Sequence, residues 1–367
     1  MFDRFEHNND RNDGENGVLE HVGEFVLVRL VKMEDVFEKT EFFGGIVYYI
    51  CGASFHICCI VRYKNLLIMV YMLRSDAKHE EEQYLALVRD ILLHGEFIQG
   101  RNGTTKTVIG SAMRFDLKGG TLPLLTTKKV AHKTCLKELL WFISGSTDNR
   151  RLREQGVHIW DGNASREYLD SIDMTERAEN DLGPVYGHQW RRFNAPYTSC
   201  DANYAGEGVD QLGAIIEMLK NPEKRFSRRL VMSAWNPCQL EEMALPPCHV
   251  LVQFHVLPPN RLSCSMFQRS GDVGLGVPFN IASYAYLTHL VAHHCGLEPD
   301  TFCYHLGNCH IYDDHLDALA EQVRRVPLPF PKLRIKTKRT HIDDYTSDDF
   351  VVEGYESYPP IKMEMRA

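Results

Sequence analysis

Cys248 stands in Ala244-Leu-Pro-Pro-Cys248-His249, directly ahead of an alternating apolar stretch. Two consecutive prolines fix the backbone, so the thiol is presented at a rigid corner. A cysteine nucleophile needs a nearby cation or imidazole to favour its thiolate, whereas a small buried thiol needs neither. His249 is next in the chain, but adjacent strand residues face opposite ways, which argues against a Cys–His hydrolase pair. Cations are on hand as arginines: Arg228-Arg229 at a strand start, Arg269 in Gln268-Arg-Ser-Gly-Asp272, and Arg101 in Gly100-Arg-Asn-Gly-Thr104. Guanidinium groups clamp a phosphate dianion bidentately. Each alone reads as a solvated surface arginine; together, on turns and strand ends of a chain with net charge −8, they point to one phosphate pocket.

Glu138 lies in Lys137-Glu-Leu-Leu-Trp-Phe-Ile143. It sits either at the polar edge of a helix or buried with a raised pKa, the second being what a general acid needs near neutrality. The run Gly271-Asp-Val-Gly-Leu-Gly-Val-Pro-Phe-Asn280 has three glycines but neither the spacing of a dinucleotide fingerprint nor the Lys-Ser/Thr of a P-loop. Its bare backbone suits close approach of a flat ligand. Asn280 either caps the helix that follows or offers an amide that pairs with a ring carbonyl and a ring N–H, as in uracil. His305, Cys309, His310 and His315 lack a second partner group at zinc spacing, so ordinary polar contacts are expected there and no metal.

These residues need elements to hold them. Tyr84, Leu87, Val88, Ile91 and Leu92 predict a helix stopped at Gly95, and Leu136–Ile143 another stopped at Gly145. Leu212, Ile215, Ile216 and Leu219 form a third stripe ahead of Asn221-Pro222, and Ile281–Cys295 a long helix ended by Gly296. Val250, Val252, Phe254 and Val256 alternate with Leu251, Gln253 and His255 as in a strand; Leu230–Trp235 and Leu262–Gln268 also read as strands. From Ser75 onward this alternation of helices and strands is the pattern of a compact α/β or α+β domain. The chain of 367 residues is 44% hydrophobic and 25% charged, an ordinary globular composition that excludes a wholly disordered or fibrous protein. Its negative charge argues against general nucleic-acid binding. Eleven scattered cysteines read as free thiols of a reducing compartment. Residues 1–75 form an extension: the first 41 hold eleven acidic and five basic residues, with one short strand expected at Val26–Val31. The apolar segment 42–73 follows, of which 42–61 lack Asp, Glu, Lys and Arg. That length crosses a bilayer as a helix, with the basic residues behind it on the cytoplasmic side, or else folds as a hairpin. Met72 is an alternative start.

ArgAsnGlyThr at 101–104, LysGluLeuLeuTrpPheIle at 137–143, IleTrpAspGlyAsn at 159–163, AspLeuGlyProValTyrGly at 181–187, LeuProProCysHis at 245–249, GlnArgSerGlyAspValGlyLeuGlyValProPheAsn at 268–280 and IleLysMetGluMet at 361–365 together resemble thymidylate synthase. The resemblance covers roughly residues 76–367, in order. It implies a mixed β-sheet with surrounding helices, the sheets packed back to back in a homodimer, and reductive methylation of deoxyuridylate by 5,10-methylenetetrahydrofolate. It further implies that Cys248 adds to pyrimidine C6, with Glu138, Tyr186, Asn280, Trp160 and Asp272 as catalytic residues. Arg101, Arg269 and Ser270 would hold phosphate, with Arg228 and Arg229 from the other subunit; His249, Gln268, Asp272, Asn280, His310 and Tyr312 would complete the nucleotide site. Ile159, Trp160, Asn163, Asp272, Leu275, Phe279, Met365 and Ala367 would line the folate site under a closing C-terminal tail.

The chain departs from the family pattern at Ser265 and Phe267, at Asn308 where Asp is usual, at Lys128–His132, and at its Arg366-Ala367 end. These departures are expected to alter tail closure or folate affinity. Other readings of the fold are a pyrimidine hydroxymethylase and a non-catalytic RNA-binding or membrane-tethered regulator. Asn280 in place of an Asp argues for a uracil over a cytosine substrate. The expected location is the cytoplasm, with a membrane tether only through 42–61, and the nucleus is open.

Overall fold

The computed structural model describes residues 79–100 and 102–366, and before them the backbone of four strands. Two units separate, 1–78 and 79–367. In the first, strands β1 (Leu27–Val31), β2 (Val47–Cys51), β3 (Ser54–Tyr63) and β4 (Leu66–Met72) form one antiparallel sheet in the order β1-β4-β3-β2. The charge-free stretch 42–61 therefore carries paired strands wherever it is described. Among the described residues no helix is long and apolar enough to cross a membrane.

The second unit is built on a six-stranded mixed sheet in the order β5-β6-β10-β9-β8-β7. Its strands are β5 (Glu96–Gly100), β6 (Gly103–Asp116), β7 (Val231–Ser233), β8 (His249–Leu257), β9 (Arg261–Asp272) and β10 (Glu298–Tyr312). β9 and β10 run parallel, their neighbours antiparallel. Helices α1 (Glu82–His94), α2 (His132–Ile143), α3 (Arg150–Arg153), α4 (Asp161–Ala164), α5 (Arg166–Ser171), α6 (Tyr186–Arg192), α7 (Gln211–Lys220), α8 (Gly276–Cys295) and α9 (Leu316–Gln322) surround it. A small ribbon of β11 (Lys332–Ile335) and β12 (Phe350–Glu353) follows.

Register decides the two faces of the sheet, because directly paired residues point the same way. One row, Met113, Tyr304, Met266, Val252 and Met232, is wholly buried. The next, Ala112, His305, Phe267, Leu251 and Ser233, lies on the opposite face, where Phe267 is 43% and Leu251 36% exposed. α8 covers the buried face, with Tyr284 stacked on Phe302 at 6.0 Å between ring centroids. It is apolar nearly all round, as expected of a helix enclosed on all sides.

Boundaries differ from the sequence reading in α8, α2, β9 and β7, the last spanning only Val231–Ser233 of the expected Leu230–Trp235. α8 begins at Gly276, ahead of the expected Ile281, and takes in Pro278 within its first turn, where a missing N–H costs nothing. Asn280 therefore lies inside the helix, and Leu275 occupies the cap position. α2 starts at His132, and β9 runs on to Asp272, so the first residues of the glycine-rich run are strand.

α1 is fixed by a buried carboxylate at its N-cap position. Glu81 Oε2 accepts from Thr126 N–H at 2.8 Å and its hydroxyl at 2.6 Å, and Oε1 from Thr127 N–H and hydroxyl at the same distances. Four donors satisfy a carboxylate that has no exposed surface. This knot holds the segment that leads into Lys128 and α2.

Candidate active site

Cys248 sits at the end of the Pro246-Pro247 corner, immediately before β8. Arg269 on the neighbouring strand braces that corner: its Nε donates to Pro247 O and its Nη2 to Pro246 O, both at 2.9 Å. The Arg269 guanidinium also lies 5.6 Å from the Trp235 ring centroid. Tyr186, the first residue of α6, accepts the Cys248 N–H on its Oη at 2.7 Å and the His249 N–H at 3.4 Å. With its lone pairs so used, the phenol has its own proton left to donate. Burial pushes the Cys248 thiol up, and the Arg269 charge pulls it partly back. Arg269 thus does the cation's share of the work, while the balance in this structure favours the thiol.

Glu138 resolves to the second of its two readings. It is 6% exposed on the inner face of α2, and burial raises its pKa to about 7 against the lowering effect of the Trp160 hydrogen bond. Trp160 Nε1 donates to Glu138 Oε1 at 2.7 Å. The surroundings are aromatic: Phe142 lies 4.7 Å from Tyr186, and Trp160 6.3 Å from it. His249 is buried between Tyr186 and Tyr284, its pKa lowered to about 4 by desolvation despite a hydrogen bond with Asn280. Cys248, Glu138, Tyr186, Trp160, His249 and Asn280 are thereby linked by direct contacts.

On β9, Gln268 Nε2 donates to Ser270 O at 2.8 Å, and Gln268 Oε1 accepts from Tyr304 at 2.6 Å. Asp272 Oδ1 accepts the Gly274 N–H at 2.8 Å. His310 pairs with Asp272 across the strands, meets Asn308 Oδ1 through Nδ1 at 2.8 Å, and stands 5.5 Å from the Tyr312 ring. His305 faces the open side, so it does not converge with His310 and His315. Among the described residues a metal-compatible group forms elsewhere, at Asp148, Cys200 and Asp201, where Arg150 already bonds both carboxylates. Arg228 and Arg229 are exposed in the turn ahead of β7, the outermost strand, and do not open that strand as the sequence reading expects. Arg101 and Ala367 lie outside the described residues.

Ile159, Asn163, Leu275 and Phe279 lie at least partly buried, while Met365 is 57% exposed. Asn163 Nδ2 and His315 Nδ1 are buried without a partner, and so is His249 Nδ1. A Cβ at Gly274 would come within 3.1 Å of His315 Nδ1 and 3.2 Å of both Asp272 Oδ1 and Met363 Sδ. Bare backbone lets these three side chains close on Gly274. The unspent donors and acceptors of Asn163, His249 and His315 are of the kind a heterocyclic ligand can satisfy.

Sequence reasoning missed Lys128, Tyr304 and Trp235. Lys128 is 5% exposed, donates to Gly274 O, and has its pKa lowered to about 8 by burial, opposed by Asp272. The available signal was a lysine between Thr126-Thr127 and Val130, with no acid near it in sequence.

Covalent catalysis by a thiol, with acid–base help from a carboxyl tuned to neutrality, is the class of chemistry that this fold and pocket define. Comparison with known proteins makes it particular. The family model for thymidylate synthase matches residues 82–367, and the chain belongs to that family. It is 52% identical over 297 residues to the thymidylate synthase of Saccharomyces cerevisiae, covering 78% of this chain and 97% of that one. Against human thymidylate synthase it is 52% identical over 289 residues, covering 78% and 91%. A probable thymidylate synthase of Schizosaccharomyces pombe is 53% identical over 298 residues; there the match spans 78% of this chain and about half (47%) of the relative. The hydroxymethylase and regulator readings find no support among these relatives.

Proposed function

We propose that the chain methylates deoxyuridylate to thymidylate through a covalent bond from Cys248 to pyrimidine C6. The observation that carries this is the Pro-Pro corner: Arg269 and Tyr186 both bind its backbone, fixing Sγ while leaving it free to react. Addition of the Cys248 sulfur to C6 moves the ring electrons toward O4 and makes C5 nucleophilic. Asn280 reads the ring through its amide. Glu138, near its own pKa at neutrality, exchanges protons on the O4 side. C5 then bonds to the one-carbon unit; Tyr186, in contact with the cysteine's backbone, assists loss of the C5 proton, and the sulfur leaves C6 as hydride reaches the new carbon. Methylenetetrahydrofolate supplies the one-carbon unit and the hydride, and departs as dihydrofolate.

Arg101, Arg269 and Ser270 hold the nucleotide phosphate, joined by Arg228 and Arg229 from a partner subunit. Gln268 supports Ser270 through its backbone carbonyl, and His310 and Tyr312 take the deoxyribose hydroxyl. Ile159, Trp160, Asn163, Asp272, Leu275, Phe279 and Met365, with Ala367 at the end of the tail, form the folate site. Dimerisation through the open sheet face agrees with the exposed Phe267 and Leu251 of one paired row. Residues 76–367 form the catalytic domain, and 1–75 are an extension to it.

The test is direct. The full chain is given deoxyuridylate and methylenetetrahydrofolate, dihydrofolate absorbance is followed, and the nucleotide product is weighed. Thymidylate with equal dihydrofolate is the expected result; hydroxymethylated nucleotide without dihydrofolate would move the assignment to the hydroxymethylase. Cys248→Ser is expected to abolish turnover and the covalent protein–nucleotide adduct seen by mass; wild-type-like turnover would remove Cys248 from its role.

A further inference from the structure

The C-terminal tail is held at its far end by charge as well as by packing. Arg366 Nη2 donates to Asp314 Oδ2 at 2.7 Å, and the same guanidinium lies 6.0 Å from the Tyr312 ring centroid. Two residues back, Glu364 O accepts from His315 Nε2 at 2.9 Å, which fixes that imidazole as the Nε2–H tautomer. His315 is 1% exposed, and its ring stands 5.7 Å from Tyr312. Met363 closes on Gly274, as the 3.2 Å from its Sδ to a Cβ built there shows. These contacts fall on Tyr312 at the end of β10, on the short turn Asp313–His315 directly after it, and on the loop ahead of α8.

We propose that Arg366 and Asp314 form an ionic latch that seats the tail on the wall of the nucleotide pocket, and that both are positioning residues for the reaction. The inference rests on the proposed function for what the pocket binds. Three features support it. Tyr312 is shared: one side of its ring meets the Arg366 cation, and its edge contacts reach His310, the proposed deoxyribose partner. A nucleotide that orders Tyr312 therefore also orders the seat on which the tail rests. The latch is an ion pair, whereas the other tail contacts are a neutral hydrogen bond and packing. The Arg366 and Asp314 side chains are 39% and 35% exposed, so the pair is open to screening by salt, whereas the His315–Glu364 bond is shielded. Finally, the guanidinium has two partners in fixed geometry, an acid and an aromatic face, which a lysine would match poorly.

A latch of this kind contributes to closure and leaves the chemistry alone. An exposed pair changes an equilibrium by at most about fivefold. Arg366→Leu and Asp314→Asn are therefore expected to raise KM for methylenetetrahydrofolate about threefold to fivefold, with kcat changed less than twofold. Wild-type KM is expected to rise with added salt, and the KM of both variants to be flat. The charge-reversed double variant, Arg366→Asp with Asp314→Arg, should recover most of the affinity that either reversal alone loses. Hydrogen exchange of the Lys362–Arg366 amides reads the latch without turnover: exchange should quicken in Asp314→Asn while amides of β10 stay unchanged. Unaltered KM and unaltered tail exchange in both single variants would overturn the latch, as would a double reversal no better than its parents. If the wild-type chain makes no dihydrofolate, the functional reading fails; the exchange measurement still decides the latch.

Discussion

Burial raises Glu138 to about 7 because the Phe142, Trp160 and Tyr186 rings exclude the water that would otherwise solvate its charge. The Trp160 indole N–H answers only part of that loss. Two consequences separate in experiment. Glu138→Gln keeps the shape and loses the proton, so kcat should fall by about 10²–10⁴, and the limb of the pH–rate profile near 7 should vanish. The stability effect runs the other way. A carboxyl whose ordinary pKa is 4.5 and whose folded pKa is about 7 costs nothing below the first value. Its penalty grows as pH rises through the second. Glu138→Gln should thus resist urea better than wild type at pH 8 and equally at pH 4; equal midpoints at both would mean the carboxyl is not perturbed. At this scale local context in the sequence singles out Cys248, Glu138 and Asn280, and the structure brings the three together through Tyr186, Trp160 and His249. The sequence was silent on Tyr186 as the acceptor of the Cys248 N–H, because 62 residues separate the pair. Burial of Lys128 was hidden for the same reason: its partner carbonyl, Gly274 O, is 146 residues away.

The elements do their positioning through a few polar anchors set in apolar packing. Glu81 ends one such chain of support: its four hydrogen bonds fix Thr126 and Thr127, the next residue is Lys128, and α2 begins four residues later with Glu138 on its inner face. Removing the acceptor leaves buried donors unpaired, at about 1–3 kcal/mol each when nothing replaces it. Glu81→Ala should therefore lower unfolding free energy by at least about 3 kcal/mol and shift the urea midpoint with little change in slope. A loss under about 1 kcal/mol would show that water takes over the donors. Helical periodicity was enough to find α1 and α7 from their apolar stripes, and dense apolar runs closed by glycine to find α2 and α8. Starts were less legible than stops. Gly296 ends α8 in the left-handed conformation that glycine adopts freely, a signal visible in the sequence. The start of the same helix carries no side-chain cap, and its Pro278 reads as a breaker unless one knows that it falls in the first turn.

At the scale of the whole molecule the open sheet face is the feature that asks for a partner. Phe267 and Leu251 face each other across β9 and β8, and both side chains are exposed. If the face is the dimer contact, a charge at Phe267 should break it. Phe267→Glu is expected to sediment as a monomer and to bind deoxyuridylate weakly, since Arg228 and Arg229 would no longer reach a neighbouring phosphate site. A dimer that persists would place the contact elsewhere. The alternation of β8 and β9 was legible as a pattern, yet which side is covered depends on strand order, and β9 meets β10 only after the full length of α8. The Glu81 knot also bears on where a working piece of this gene product can begin. The family match opens at residue 82, one position too late to include Glu81. Just upstream, Glu80 accepts from Asp116 N–H at 2.9 Å and His79 packs on Phe330 at 4.4 Å. A shortened gene that follows the homology boundary would discard all three anchors and lose its foundation, while one that starts a few codons earlier would keep them.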